Sequence, residues 1–427
     1  MVNALDASLV EGDGRHDDTA GIQAALDSRA GTVYLPAAPG AYLISRPLRL
    51  HSCQTLMADR NAVIRLADGA RTHMLTNADH EHGNERIVVK GGIWDGNNAR
   101  QTCEYHQTRD WRVPYEPSRY LGVIMQFNRV TDLRVAHVTL KDPETFGLQG
   151  GNLCRFTIED ITFDYNLLRA NMDGVHLQGN CHQGRIANLK GTTNDDLVAL
   201  NADDGSMFEM SRGPISDIAV DGIWSRDGYT AVRLLSAGSP VSRVTLQNIF
   251  GTYRYNVVSF TNHKVHPGAP STFDDILIAG VFASKSAGDG EREIPASDIR
   301  SALSPIWIDA PAEVSSLTVR DYHRTETALP ADDVHIEPGA TVHKLTLADW
   351  TVVNRCQSPI AALQNRGRVG DLTIANVCTA SPSGPDGCTV TNEGRVRRFH
   401  ETGPRAHWHP ADRSTEAAEQ QGTDRAD

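Results

Sequence analysis

The chain has 427 residues, 40% hydrophobic and 22% charged, a composition that belongs to folded globular proteins rather than disordered or membrane-embedded ones. Its formal net charge is −12, with no Lys/Arg block longer than two residues, which argues against nucleic acid or an anionic membrane as partner. No run of 18 apolar residues is present, so no transmembrane helix is expected.

In chain order, the first stretch, MVNALDASLVEGDGRHDD, lacks a basic segment followed by an apolar core. That predicts no signal peptide and a cytoplasmic location, or a secreted one if a leader has been removed. Asp18 and Thr19 then form a cap-like start to a short amphipathic helix carrying Ile22, Ala25 and Leu26. Two strands broken by a Pro/Gly turn follow in GTVYLPAAPGAYLIS, so residues 1–50 read as a cap with entry strands. Residues 101–120, QTCEYHQTRDWRVPYEPSRY, are polar and aromatic-rich and read as an inserted loop whose Tyr105, Trp111 and Tyr115 could close one end of a groove.

Beyond the entry strands one phrase repeats: a β-branched strand V-x-x-L-x-V/I, a tight polar turn, and a second short strand. It is seen in RVTDLRVAHVTL, RFTIEDITF, ISDIAVDGIW, PVSRVTLQNIF, VHKLTLADWTVV and VGDLTIANV. No segment between these units has the helical periodicity of a βαβ crossover, and a hairpin sandwich would call for tight Asn-Gly or Asp-Gly turns alternating between strands, whereas here the turns are longer and the phrase repeats in register. Stacked coils of short strands satisfy the pattern, which is an all-β parallel β-helix, a single solenoid domain over residues 1–400 with the N-terminal helix over its open end. The polar, aperiodic residues 401–427 read as a disordered tail. Exposed solenoid strands leave homo-oligomerisation open. The seven cysteines are scattered without a CxxC pair and read as reduced thiols.

Registering the strand cores GVHLQ, LVALN, AVRLL and VVSFT places Asp173, Asp196, Thr230 and Asn256 in one column, with coils about 4.8 Å apart. Asp195 lies beside that column, level with Met172, Tyr229 and Tyr255. Within the strands His176, Ala199, Arg233 and Ser259 share a column between apolar neighbours, so it is expected to face outward. Carboxylates sharing a site raise one another's pKa, so one can hold a proton while its neighbours stay ionised. One protonated acid beside ionised bases is the equipment for cleaving a glycosidic bond. Aspartates also favour turns, and Asp203, Asp204, Asp221 and Asp227, each near a glycine, are read as turn formers.

Asn171-Met172-Asp173-Gly174, followed one coil later by Asn194-Asp195-Asp196-Leu197-Val198-Ala199, resembles the signature of the polygalacturonase and rhamnogalacturonan-hydrolase family, the family 28 glycoside hydrolases. Ala231-Val232-Arg233-Leu234-Leu235 is similar to that family's Arg-Ile-Lys strand, and GDGRHDDTAGIQAAL to the opening of the wider pectate-lyase-like superfamily. The resemblance implies a right-handed parallel β-helix and an inverting hydrolase. Asp195 would then be the general acid, with Asp173 and Asp196 activating the attacking water. The family's Gly-His-Gly turn is missing, Leu235 stands in place of its lysine, and His176 stands where a further aspartate is common. Because that lysine holds the substrate carboxylate, both acidic and neutral sugars remain open.

Asn171, His176, Arg233, Tyr229, Tyr255 and Trp111 are the expected substrate contacts, with His263 a weaker candidate. The histidines form no metal signature, and neither metal nor cofactor is expected. An oligosaccharide or polysaccharide is the expected partner. Two other function classes stay open: a polysaccharide lyase or fructosyl-transferase-type enzyme on the same fold, and a non-catalytic carbohydrate-binding β-helix.

Overall fold

The computed structural model describes residues 5, 9–101, 122–204, 210, 212–263, 268–286, 304–382, 387–404 and 406–410. In it, each V-x-x-L-x-V phrase opens a long strand, such as Cys181–Gly191, Ile215–Gly228, Val241–Tyr253 and Thr272–Lys285. Successive long strands pair in parallel with like residues opposed, so Ile218, Val244, Ile276 and Leu317 stack in one inward column. The short strands form a second parallel ladder through Leu148–Gly151, Val175–Gln178, Asp196–Ala202, Thr230–Ser236 and Val258–Thr261. Parallel stacking on both ladders is a parallel β-helix and excludes the hairpin-built sandwich. The inward Ile, Val and Leu are almost wholly removed from water, which stabilises the coil stack by about 1.5–3 kcal/mol per side chain.

The polar turn expected between the two strands of each unit is a single residue within one continuous long strand. Asp160, Asn188, Gly222, Asn248, Gly280, Asp321, Asp349 and Asn376 occupy this corner, all at positive φ. Asn and Asp tolerate the left-handed region because their short side chains bond locally. Asn188 Nδ2 donates to Asp160 Oδ1 at 3.1 Å and Asn376 Nδ2 to Asp349 Oδ1 at 3.0 Å, linking neighbouring coils. The chain therefore bends at the corner without leaving its ladder.

Thr19–Asp27 is the expected helix, with Ile22 and Leu26 fully buried beneath it. Its cap differs from expectation. The Asp18 carboxylate accepts the backbone N–H of Glu11 and Gly12 instead of capping the helix, so it pins the incoming chain. At the other end the ladder runs further than the sequence suggests. Ala406–Pro410 pairs with Cys388–Asn392 inside the span read as a tail, and Trp408 packs edge-on against Phe399, with centroids 4.8 Å apart. A short strand added to an existing ladder needs little apolar content of its own, which is why composition concealed it. The inserted loop, with Tyr105, Trp111 and Tyr115, lies outside the described residues. Six cysteines are described and all are free thiols. No helix among the described residues is long and apolar enough to cross a membrane.

Candidate active site

Asp173 ends the turn before Val175–Gln178, and Asp195 and Asp196 open the next short strand. Val175 is level with Val198, and Gly174 N donates to Asp196 O at 2.9 Å, so the register sets Asp173 over Asp196. Gly174 is required there, because a Cβ would lie 2.5 Å from both Leu197 O and the Phe163 ring. Asn194 Nδ2 donates to Leu167 O and Arg169 O across the adjoining turns, and Thr193 Oγ1 donates to Asp195 O. The result is a fixed trio in which carboxylate oxygens of Asp173, Asp195 and Asp196 lie within 4.8 Å of one another. Asp173 and Asp196 are buried and Asp195 is half-buried.

The column of His176, Ala199, Arg233 and Ser259 has the expected register, but the expectation that it is exposed is corrected. His176 is 2% exposed. Alternation turns it out of the solenoid core, where the Phe146 ring stacks on it at 3.9 Å. Its Nδ1 lies 2.6 Å from Asp173 Oδ2, and its Nε2 lies 3.3 Å from Asn201 Nδ2. Asn201 also donates Nδ2 to Asp204 Oδ2 at 2.7 Å and accepts Arg233 Nε at Oδ1, which fixes the orientation of its amide. His176 Nε2 is therefore the acceptor, and Nδ1–H donates to Asp173.

Arg233 is the cation of the site. Its Nε lies 3.0 Å from Asp196 Oδ2 and its Nη2 lies 3.9 Å from Asp173 Oδ2. His263, exposed at the rim, brings Nε2 to 3.2 Å from Arg233 Nη1. Burial works against the Arg233 charge, yet Asp196, Asp173 and Asp195 hold its pKa above the ordinary guanidinium value. Burial and the Asp195 charge push Asp173 well above the usual carboxylate range. Asp196 is also raised, chiefly by burial, with Arg233 opposing. Burial lowers His176 to about 4, so its imidazole is neutral at neutral pH. The trio thus retains a proton at pH values where isolated carboxyls have lost theirs.

Tyr229 and Tyr255 stack at 5.0 Å beside Asp195, and Trp307 meets Tyr255 edge-on at 6.5 Å, which builds an aromatic wall. Burial, followed by the Asp309 charge, pushes Tyr255 up to about 12. The buried Lys285 Nζ donates to Tyr255 O and holds that wall from behind. Asn171 sits at φ 56 as a left-handed turn residue, a role that accounts for its identity without a substrate contact. Trp111 lies outside the described residues.

Sequence reasoning missed Asn201 and misassigned Asp204. Asp203 is a turn former, its carboxylate accepting Gly213 N at 2.7 Å and Ser239 N at 2.5 Å. Asp204 instead turns into the site, Oδ2 lying 3.7 Å from His176 Nε2. Adjacent aspartates look alike in a sequence. The available signal is that Asn201 lies at the end of the strand that Asp196 opens and Asp204 just beyond it.

Three clustered carboxylate oxygens would also suit a hard cation. Here the guanidinium of Arg233 already supplies counter-charge at Asp196.

The first quarter of the chain, residues 1–106, matches the family described as rhamnogalacturonase A/epimerase, pectate lyase-like. The structure is similar to a family 28 exopolygalacturonase of Yersinia enterocolitica, with a TM-score of 0.59 and 15% identity over 92% of this chain and 78% of that one. The shared fold is the parallel β-helix. The same architecture carries the A-module of the mannuronan C-5 epimerase AlgE6 of Azotobacter vinelandii, with a TM-score of 0.54 and 15% identity over 95% of this chain and 100% of that one. It also carries the Streptococcus pneumoniae surface adhesin PfbA, with a TM-score of 0.51 and 13% identity over 95% and 91%. No curated protein matches the chain by sequence. A parallel β-helix thus serves a hydrolase, an epimerase and an adhesin, and the choice among these rests on the site.

Proposed function

We propose that the chain is a glycoside hydrolase acting on an oligosaccharide or polysaccharide at the Asp173–Asp195–Asp196 trio. The observation that carries this reading is three carboxylates, two of them buried, held within 4.8 Å beside a guanidinium. Asp195, the most accessible, donates a proton to the glycosidic oxygen as its bond to the anomeric carbon breaks. A water attacks that carbon and gives its proton to Asp196, whose carboxyl pKa is raised by burial and whose nearest cation is the Arg233 guanidinium. Asp173, fixed by His176, shares the remaining proton of the cluster. The aromatic wall offers apolar surface to a sugar ring. Inverting enzymes typically separate their carboxyl groups by about 6.5–9.5 Å. This cluster is tighter, so inversion rests on the family resemblance and not on spacing.

The test is a glycan and aryl-glycoside screen of the wild type beside Asp195→Asn. Cleavage by the first and its loss in the second, by at least about a hundredfold, is the expected outcome. A second reading, proton abstraction from a uronate by a lyase or epimerase, is favoured by the likeness to the epimerase module over its whole length. With a uronate substrate, an unsaturated product would establish the lyase, and inversion at C5 with the chain left uncleaved would establish the epimerase; either would end the hydrolase reading.

A further inference from the structure

Charge within the cleft is unbalanced. Asp173, Asp195, Asp196 and Asp204 converge on Arg233, whose groups are already engaged: Nε with Asp196 and Asn201, Nη2 near Asp173, and Nη1 with His263. Arg254 directs Nη2 to Thr193 O and Asn194 Oδ1, bracing the turn before Asp195. Binding a sugar carboxylate calls for a cation with free donors, best of all a bidentate one. The Arg233 donors are taken up in this way, and the Arg254 Nε, although without a hydrogen-bond partner among the described residues, is buried.

Asp204 differs from the other three. Its side chain is 26% exposed, its near neighbours are Asn201 and the imidazole of His176, and among the described residues no arginine or lysine lies within ion-pair distance of it. A second acceptor is also in surplus. Asp196 Oδ2 is buried and accepts no hydrogen bond of good geometry among the described residues, although Arg233 Nε is 3.0 Å away. A carboxyl oxygen with no donor bonded to it can accept one, so both can take donors from the ligand.

We propose that Asp204 is a specificity-determining residue that accepts a hydroxyl or ammonium donor of the sugar at the trio and turns a uronate away. The substrate class is therefore a neutral or amino-sugar glycan. This rests on the reading of the trio as a carbohydrate site. Its charge also reaches the reacting groups, supporting the raised pKa of Asp173 and opposing the fall of His176.

The experiment measures binding in an Asp195→Asn background, where no substrate is consumed. Calorimetry compares trisaccharides of one hexose, its 2-amino analogue and its uronate. The expected result is binding of the hexose or amino form at least about tenfold tighter than the uronate. Asp204→Asn should weaken that binding roughly ten- to a hundredfold and narrow the preference. Asp204→Glu, which keeps the charge, should retain the preference and guards against a folding defect in the amide variant. Tighter binding of the uronate, or an unchanged preference ratio in folded Asp204→Asn, overturns the proposal. Hydrolysis confined to uronates refutes the specificity while sparing the hydrolase reading. Selective binding of the neutral or amino form without hydrolysis by the wild type does the reverse.

Discussion

Burial acts in opposite senses on the two halves of the Asp173–His176 pair. It raises the carboxyl and lowers the imidazole to about 4. A carboxyl whose folded pKa exceeds its unfolded value of about 3.9 adds stability below that value and loses it as pH rises through the folded pKa. A histidine whose folded pKa is depressed adds stability above about 6.5, which is lost as pH falls toward its folded value. Asp173→Asn keeps an acceptor for His176 Nδ1–H and removes the carboxyl penalty. It should raise the melting temperature at pH 7 by roughly 1–3 °C, the gain vanishing near pH 4, while lowering turnover. Thermal scans at the two pH values check the sign. The convergence of Asp173, Asp195 and Asp196 was legible because register can be read from apolar spacing. The burial of His176 was not, because alternation gives the face of a side chain but not what covers it, here Phe146.

At the scale of the element, each long strand is set by two signals of different visibility. The V-x-x-L-x-V spacing reads directly as a strand with an inward face. The corner read as a turn because Asn, Asp and Gly have the same composition whether they end a strand or bend one. Only the pairing across coils distinguishes the two cases. Asn248, at φ 57 and donating Nδ2 to Asp221 Oδ1 at 2.7 Å, gives the test. Asn248→Val forces a β-branched residue into the left-handed region and should cost about 1–2 kcal/mol in denaturant unfolding. Asn248→Gly, which tolerates that backbone, should stay within about 1 kcal/mol of the parent. Equal losses for both would show that the side-chain bond, and not the backbone, matters at the corner.

At the scale of the molecule, a solenoid is stabilised coil against coil, so damage should stay local. The buried Arg324 is a suitable probe. It bonds Glu326 Oε2 through Nε and Nη2, at 2.9 and 2.7 Å, and Asp333 Oδ1 through Nη1 at 2.6 Å, all three side chains being fully enclosed. Arg324→Ala leaves two buried carboxylates without their cation and should cost about 3–5 kcal/mol. Hydrogen exchange should show lost protection around Glu313–Glu326 and Thr341–Asn354, with Asp196–Ala202 still protected. Uniform loss along the ladder would contradict the one-dimensional picture. This network escaped the sequence reading because Arg324, Glu326 and Asp333 look like ordinary surface charges until the turn between their strands closes over them.

Water-dependent bond cleavage at the Asp173–Asp195–Asp196 trio is tested most directly by turnover in ¹⁸O-labelled water. With the substrate found by the screen, the wild type should place one solvent oxygen on each newly formed reducing end, and Asp195→Asn should lose that signal by at least about a hundredfold. Unsaturated, unlabelled product, or equal turnover by the two proteins, would contradict it.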